Sequence, residues 1–130
     1  MHIAAAEEIE HRLLKSVRSL KQKLRSKQKQ FNGIVKIGRT HLMDATPLTL
    51  GQEFSGYVHM LEADLRRIEF AQKDLFELAL GGTAVGTGLN SHPEFAEMVA
   101  KKIADRTQLP FVSAETVSYT HLTLPTSPHV

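Results

Sequence analysis

Cysteine is absent from this 130-residue chain, and this absence excludes both a disulfide framework and a thiolate metal site. No apolar run is long enough to cross a bilayer. The first eight residues lack the charged and apolar regions of a signal peptide. The net charge is only +2, which gives no general argument for nucleic-acid binding. These absences are compatible with a reducing compartment and predict no membrane segment.

Apolar residues, by contrast, make up 42% of the chain, which is enough for one small folded domain. In the first segment they recur at helical spacing, at Ile9, Leu13, Val17, Leu20 and Leu24. This stripe predicts one amphipathic helix over residues 3 to about 30. The helix is expected to stop at residues 31–33, which end in a glycine.

The other faces of this helix are strongly basic. Eight cations occur without an intervening acid, at Arg12, Lys15, Arg18, Lys21, Lys23, Arg25, Lys27 and Lys29. Such a face could bind phosphates, or it could be the solvated side of a bundle helix with cations near its C-terminal end. The second interpretation is favoured because no aromatic side chains are interleaved for base stacking.

Two further helices have recognisable starts. Thr49 and Gln52 have the spacing of a capping box, and the helix that follows is predicted to end at about Leu80. Ser91 and Glu94 repeat that spacing, with Pro93 expected in the first turn of a third helix. This third helix is predicted to stop near residues 107–108.

Residues 81–90 contain four glycines. Glycine-rich backbone can cradle a phosphate, but here no Gly-Lys-Ser/Thr ending follows and no strand precedes. A tight turn that lets backbones approach closely is therefore the favoured interpretation.

Polar chemistry is concentrated in the segment that joins the first two helices, which contains Arg39, Thr40, His41 and Asp44. Residues 34–37 favour extended structure, and we expect them to enter an irregular loop at 32–48 rather than a sheet. Imidazole transfers protons near neutral pH, and the threonine hydroxyl can donate to a carboxylate. Arg39 can bind a carboxylate or pair with Asp44. No spacing typical of metal ligands occurs. Taken alone, the residues favour a structural or solvated Thr-His pair over a catalytic one.

The segment from Ile37 to Gln52 resembles the Gly-Arg-Thr-His…Asp-Ala…Pro…Gly-Gln motif of the class II fumarases, in the fumarase/aspartase superfamily. The block Gly81-Gly82-Thr83-Ala84-Val85-Gly86-Thr87-Gly88-Leu89-Asn90 resembles the next motif of that family. The resemblance covers residues 1–115. It implies an all-α fragment of the family's long-helix central bundle, with the loop at 32–48 and a Gly-rich turn at 81–90. Residues 116–130 do not continue the pattern, and we expect a non-family tail, either disordered or artefactual.

The resemblance also implies the reaction, which is the reversible hydration of fumarate to L-malate without a cofactor or metal. Thr40 would bind a substrate carboxylate, and His41 would act in proton transfer by polarising a water. Arg39 and Asp44 would support the loop. Members of the family are homotetramers whose active sites combine residues from three subunits, and they are cytoplasmic, or mitochondrial in some eukaryotes. The family's serine-base loop is missing from this sequence, so we expect the chain to be inactive alone.

Two alternatives remain open. The chain could derive from an aspartase or another superfamily lyase that acts on a four-carbon dicarboxylate. It could instead be a stand-alone helical interaction module that binds an acidic partner through the basic face between Arg12 and Lys29. None of these interpretations predicts a nucleic-acid or membrane partner.

Overall fold

A computed structural model describes residues 1–83 and 86–114. Helices make up most of this described part, which confirms the predicted all-α class. The chain divides into two compact units, which we treat separately. The hairpin unit is Glu8–Ala71, and the glycine-turn unit is Met1–Glu7 together with the described residues from Gln72 on. The expected tail at 116–130 lies outside the described residues, and the proposed family boundary at residue 115 stays a prediction.

The first predicted helix is present over nearly its whole expected length, with one interruption. Helix α1 (His2–Glu8) is followed directly by a π turn (Ile9–Leu13) and then by α2 (Leu14–Gln30). The Leu14 amide donates to the Ile9 carbonyl five residues back, which is the π pattern. This wide turn shifts the apolar stripe by one position, so that Leu14 is fully buried while Leu13 remains 44% exposed.

Helix α3 (Leu50–Gln72) pairs with α2 in antiparallel order within the hairpin unit. Arg18 bonds Glu69 at 2.8 Å, and Arg25 bonds Glu62 at 2.5 Å. Directly after the C-terminal end of α2, the ring of Phe31 meets that of Phe54 edge to face, with centroids 5.3 Å apart. Two of the cations on the basic face of α2 are therefore paired with carboxylates of α3. This pairing favours the bundle-helix interpretation over a free phosphate-binding face.

The segment that connects α2 to α3 has regular structure, contrary to the prediction of an irregular loop. Strands β1 (Val35–Thr40) and β2 (Met43–Thr49) form an antiparallel two-stranded hairpin. The expectation of an irregular loop at 32–48, with residues 34–37 outside any sheet, was wrong. Each strand supplies the other's hydrogen-bonding partner, and this pairing satisfies backbone groups that an irregular loop would leave to water.

The glycine-turn unit corrects the predicted end of the second helix. Helix α3 ends at Gln72 and is followed by a 3-10 turn (Lys73–Phe76) and by strand β3 (Glu77–Leu78). Strand β3 pairs in parallel with β4 (Val112–Ser113), and the Ala114 amide donates to the Leu78 carbonyl at 3.0 Å. Burial of Leu78 in a cluster with Ala6, Leu109 and Phe111 outweighs the helical periodicity that continued to Leu80.

The described residues of the glycine-rich segment, 81–83 and 86–90, make turn contacts, because the Gly88 amide donates to the Gly82 carbonyl at 2.9 Å. Gly81 has a φ of 89°, and a Cβ atom there would lie 2.8 Å from the Cβ of Ala96, so only glycine allows this close approach. Ala96 belongs to helix α4 (Phe95–Thr107), whose end was predicted correctly and is capped by Gln108 at a φ of 57°.

The predicted start of that helix was wrong. The Ser91 hydroxyl donates to the Gly88 carbonyl at 2.7 Å, and so it closes the glycine turn instead of capping α4. The helix begins at Phe95, after Pro93 rather than around it. Among the described residues, no helix has the length and apolarity needed to span a membrane.

Gly51, in the first turn of α3, lies close to the C-terminal end of α2. A Cβ atom at Gly51 would lie 2.7 Å from both the Gln28 carbonyl oxygen and the Asn32 Cα. We expect Gly51→Ala to lower the free energy of unfolding by about 1–3 kcal/mol through overpacking. Urea denaturation of the two chains measures this difference.

Gly56 is the matched control on the same helix, because nothing lies within 4 Å of a Cβ built there. Gly56→Ala should raise the free energy of unfolding by about 0.5–1 kcal/mol, since alanine loses less backbone entropy in a helix. Equal effects of the two substitutions would contradict the proposed close contact at Gly51.

Candidate functional site

The hairpin tip carries the four residues that the sequence singles out. Strand β1 ends at Thr40, strand β2 begins at Met43, and Thr40 pairs with Met43 across the ladder. His41 and Leu42 form the two-residue turn between the strands, with φ values of 52° and 64°. Positive φ at both central residues is the signature of a type I′ turn, whose twist matches that of a hairpin.

Neither turn residue is of the type that this geometry normally selects. Such turns favour Asn-Gly, Asp-Gly or Gly-Gly, and the left-handed region costs a residue with a Cβ roughly 1–2 kcal/mol. Leu42 is fully exposed, so packing against the described residues does not compensate this cost. Strained residues held at an exposed tip are a frequent feature of functional sites.

Below the tip, a bulge changes the register of the strands. Residues 35–37 of β1 pair with residues 47–49 of β2, and Arg39 pairs with Asp44 further on, so that Ala45 and Thr46 together stand opposite Gly38. A Cβ atom at Gly38 would lie 2.6 Å from the Thr46 carbonyl oxygen. Glycine at this position therefore allows the bulged strand to approach, and bulges often redirect side chains near sites.

An open groove of about 490 Å³ follows this face of the hairpin. Lys36, Gly38, Arg39 and Thr40 of β1 line the groove. Lys36, Gly38 and Thr40 are alternate residues and therefore share one face of the strand. Ala45, Thr46 and Leu48 of β2 and Glu53 of α3 complete the lining. The groove therefore connects the Thr40 end of the strand with its base.

Arg39 and Asp44 form an ion pair next to the turn, with the arginine Nε 3.0 Å from the carboxylate Oδ1. Both side chains are about two-thirds exposed, at 65% and 69%. The geometry matches the second of the two roles considered for Arg39, which was pairing with Asp44. An exposed pair of this kind stabilises a fold by at most about 1 kcal/mol.

Two residues near the site were not identified from the sequence. Lys36 on β1 donates a hydrogen bond to Glu53 on α3, and the Tyr57 hydroxyl donates to the other carboxylate oxygen of Glu53 at 3.2 Å. The Lys36 ammonium holds the pKa of the Glu53 carboxyl below its ordinary value. No local pattern could reveal the Lys36–Glu53 pair, because its partners are 17 positions apart on different elements.

The predicted cap of α3 was correct and fixes the base of the hairpin. The Gln52 amide donates to the Thr49 hydroxyl at 3.0 Å, and the Thr49 amide donates to the Gln52 side chain at 2.8 Å. The Leu50 amide also donates to the Ile34 carbonyl at 2.8 Å. Together these bonds join the end of β2 to the start of α3.

The described residues contain no group of three or more His, Asp or Glu side chains placed to bind a metal ion. His41 and Thr40 are both exposed. The tip therefore presents a hydroxyl, an imidazole and an ion pair to its surroundings rather than enclosing a ligand.

Comparison with known proteins agrees with this geometry. A family model described as "Lyase" matches residues 1–123, and the chain therefore belongs to that lyase family. Its curated relatives include the class II fumarate hydratases of Neisseria meningitidis, 63% identical over 114 residues, and of Nitrosomonas europaea, 60% identical over the same length. Each alignment covers 88% of this chain and 25% of the relative. The chain thus spans about a quarter of the length of the class II fumarate hydratases it matches.

A solved structure shows the same fold. A class II fumarase from Schistosoma mansoni matches 90% of this chain and 28% of its own, with a TM-score of 0.82 and 35% identity. A fumarate lyase:delta crystallin from Brucella melitensis, bound to cobalt, matches with a TM-score of 0.79 and 28% identity. The helical fold is therefore that of this family.

Because the turn is strained, glycine should change the free energy of unfolding in opposite directions at two neighbouring exposed residues, Leu42 and Met43. Leu42→Gly should raise the free energy of unfolding by up to about 1 kcal/mol, because glycine adopts positive φ without steric cost. Met43→Gly should lower it by about 0.5–1 kcal/mol, because Met43 lies in β2 and glycine weakens a strand. Thermal unfolding followed by circular dichroism measures both effects. A loss of stability in Leu42→Gly equal to that in Met43→Gly would contradict the strained turn.

Proposed function

We propose that this chain is a segment of a class II fumarate hydratase and that its hairpin tip contributes Thr40 and His41 to the active site. The observation that carries the proposal is the geometry of the tip, where a two-residue turn exposes His41 beside the Thr40 hydroxyl. The names of the curated relatives support the reaction. The roles proposed for the individual residues come from the resemblance to this family, and the chemistry of a hydroxyl and an imidazole is compatible with them.

In the proposed reaction, water adds across the double bond of fumarate to give L-malate. One carbon receives a proton and its neighbour receives the hydroxyl group, and no external oxidant or reductant is needed. In the reverse direction a proton leaves the carbon beside a carboxylate, and the negative charge that develops on that carboxylate requires hydrogen-bond donors.

Thr40 can supply one such donor, because its hydroxyl lies at the groove end of β1. His41 serves in proton transfer by polarising a water at the exposed tip, as imidazole does in general acid–base catalysis. The ion pair between Arg39 and Asp44 supports the turn, since the 3.0 Å contact joins the two strands just below it. None of these roles requires a cofactor or a metal.

The exposure of the tip supports an assembled site. Leu42 is fully exposed and Met43 is 70% exposed, and a fumarate site must exclude bulk water from the developing charge. We therefore propose that other parts of the full-length protein and other subunits of a homotetramer cover the tip. The proposed location of the parent enzyme is the cytoplasm, or the mitochondrion in a eukaryotic source.

The direct test is a chimera in which residues 1–114 replace the matching segment of the Neisseria meningitidis enzyme, which is 63% identical there. The chimera should hydrate fumarate. His41→Asn should then lower kcat/KM by about 10²- to 10⁴-fold, the range for loss of a general acid–base group. His59→Asn is the matched control, because His59 lies exposed in the middle of α3.

Thr40 is tested in the same chimera. Thr40→Ala should lower kcat/KM by about 10- to 100-fold, which corresponds to one lost hydrogen bond to a charged group. Thr40→Ser retains the hydroxyl and should keep most of the activity. An active chimera in which His41→Asn and Thr40→Ala behave like His59→Asn would refute the proposed roles.

The isolated 130-residue chain should show no steady conversion of L-malate to fumarate, because the tip alone supplies no base to remove the carbon-bound proton. Absorbance of fumarate in the ultraviolet measures this directly. Steady turnover by the purified chain, proportional to its concentration, would contradict the view that the site needs further segments.

A further inference from the structure

A hairpin of only two strands needs support from outside its own ladder. Isolated two-stranded hairpins are marginally stable in water, and this one also has a strained turn at His41 and Leu42. The Arg39–Asp44 pair at the tip is mostly exposed and is a weak restraint. The restraint that holds the tip in place therefore has to come from the base of the hairpin and from α3.

The Lys36–Glu53 ion pair links a side chain of β1 to a side chain of α3. Its side chains are 37% and 33% exposed, roughly half the exposure of the Arg39–Asp44 pair. The Tyr57 hydroxyl holds the second oxygen of the Glu53 carboxylate. The carboxylate is thus fixed from the strand on one side and from its own helix on the other.

Tyr57 is in turn held by aromatic packing. Its ring meets that of Phe54 edge to face at 5.8 Å, and Phe54 meets Phe31 in the same manner at 5.3 Å. Edge-to-face pairs of this kind fix ring orientation. The position of the Glu53 carboxylate is therefore connected to the end of α2 as well as to α3.

Lys36 and Thr40 share one face of β1, with Gly38 between them. Any rotation of β1 about its own axis that separates Lys36 from Glu53 must also turn Thr40 away from the groove, because residues two apart on a strand move together. His41 follows directly after Thr40, so its direction depends on the same rotation.

We propose that Lys36 and Glu53 are positioning residues, and that their ion pair, supported by Tyr57, fixes the rotation of β1 so that Thr40 faces the groove and the adjacent His41 is held at the turn. This inference rests on the proposed function for its catalytic meaning, and it gives Lys36 and Glu53 no direct step in the reaction. It assigns a role to two residues outside the motif that identifies the site.

The charge state of Glu53 agrees with this role. Hydrogen bonding and charge from Lys36 lower the pKa of Glu53 in the folded chain, with a smaller contribution from Tyr57. A carboxyl group whose folded pKa is below its unfolded value stabilises the fold above the unfolded pKa, and this contribution is lost as pH falls through the folded value. The Lys36–Glu53 ion pair should therefore be intact at neutral pH and should weaken only in acid.

The test uses the whole 130-residue chain and nuclear magnetic resonance. Glu53→Gln should lower the hydrogen-exchange protection of the Thr40 and Met43 amides at pH 7 by about 3- to 10-fold, the effect of losing one partly exposed charge-assisted hydrogen bond. The Cα and Cβ chemical shifts of His41, which report its positive φ, should move toward averaged values. Protection in α4, measured in the same spectra, should stay unchanged.

Two further variants separate positioning from general destabilisation. Glu8→Gln removes the partner of Arg12 in an exposed pair and should leave the hairpin amides and the His41 shifts unchanged. The double variant Lys36→Glu/Glu53→Lys restores the pair with reversed charges and should return both readouts toward those of the unsubstituted chain.

The inference is overturned if Glu53→Gln leaves the His41 shifts and the Thr40 protection unchanged, or if protection falls equally in the hairpin and in α3. It is also overturned if the charge-reversed pair restores neither the protection of the hairpin amides nor the His41 chemical shifts. These measurements involve no turnover, so their failure is distinct from failure of the proposed function, which the chimera tests by activity.

Discussion

The close approach of the first turn of α3 to the end of α2 is the constraint on which the hairpin unit depends. Gly51 has no side chain, so its Cα lies against Gln28 and Asn32, where a Cβ would overlap both. The Gly51 amide donates to the Phe31 carbonyl at 3.1 Å. Because the two helix ends are held together there, the 19 residues between them, 31–49, must leave and return at nearly the same place. A hairpin does this with paired backbone groups.

A hairpin built this way projects its turn away from the helices. The turn residues are strained and exposed, and the restraints on the hairpin become stronger toward its base, from the Arg39–Asp44 pair to the Lys36–Glu53 pair and the cap of α3. A rigid base and an exposed polar tip suit a site that is completed by other parts of a larger assembly. This agrees with a chain that spans about a quarter of its curated relatives.

The sequence predicted well those features that depend on local interactions. The capping box of Thr49 and Gln52, the stop after Gln30 and the end of α4 follow from hydrogen bonds within a few residues, and all three were correct. The candidate residues Thr40 and His41 were found through the order of residues in a motif. Their exposure at the end of a two-residue hairpin was not foreseen, because His-Leu lacks the turn chemistry of a hairpin.

The remaining errors have one physical origin, which is that distant segments decided the local structure. Residues 77–78 continue a helical pattern, yet they form a strand because Val112 and Ser113 pair with them. Ser91 has the sequence of a cap, but its hydroxyl is taken by the Gly88 carbonyl. The Lys36–Glu53 pair likewise joins a strand to a helix, and no periodicity within either element indicates it.

The central claim is that the hairpin tip faces the substrate, and a crystal structure with a bound dicarboxylate tests it most directly. The protein would be a class II fumarate hydratase carrying residues 1–114 of this chain, crystallised with a non-reacting four-carbon dicarboxylate. The account predicts the Thr40 hydroxyl at about 2.6–3.2 Å from a carboxylate oxygen, with the His41 imidazole in contact directly or through one water. A dicarboxylate bound in the active site with Thr40 and His41 both beyond the reach of one bridging water would contradict it.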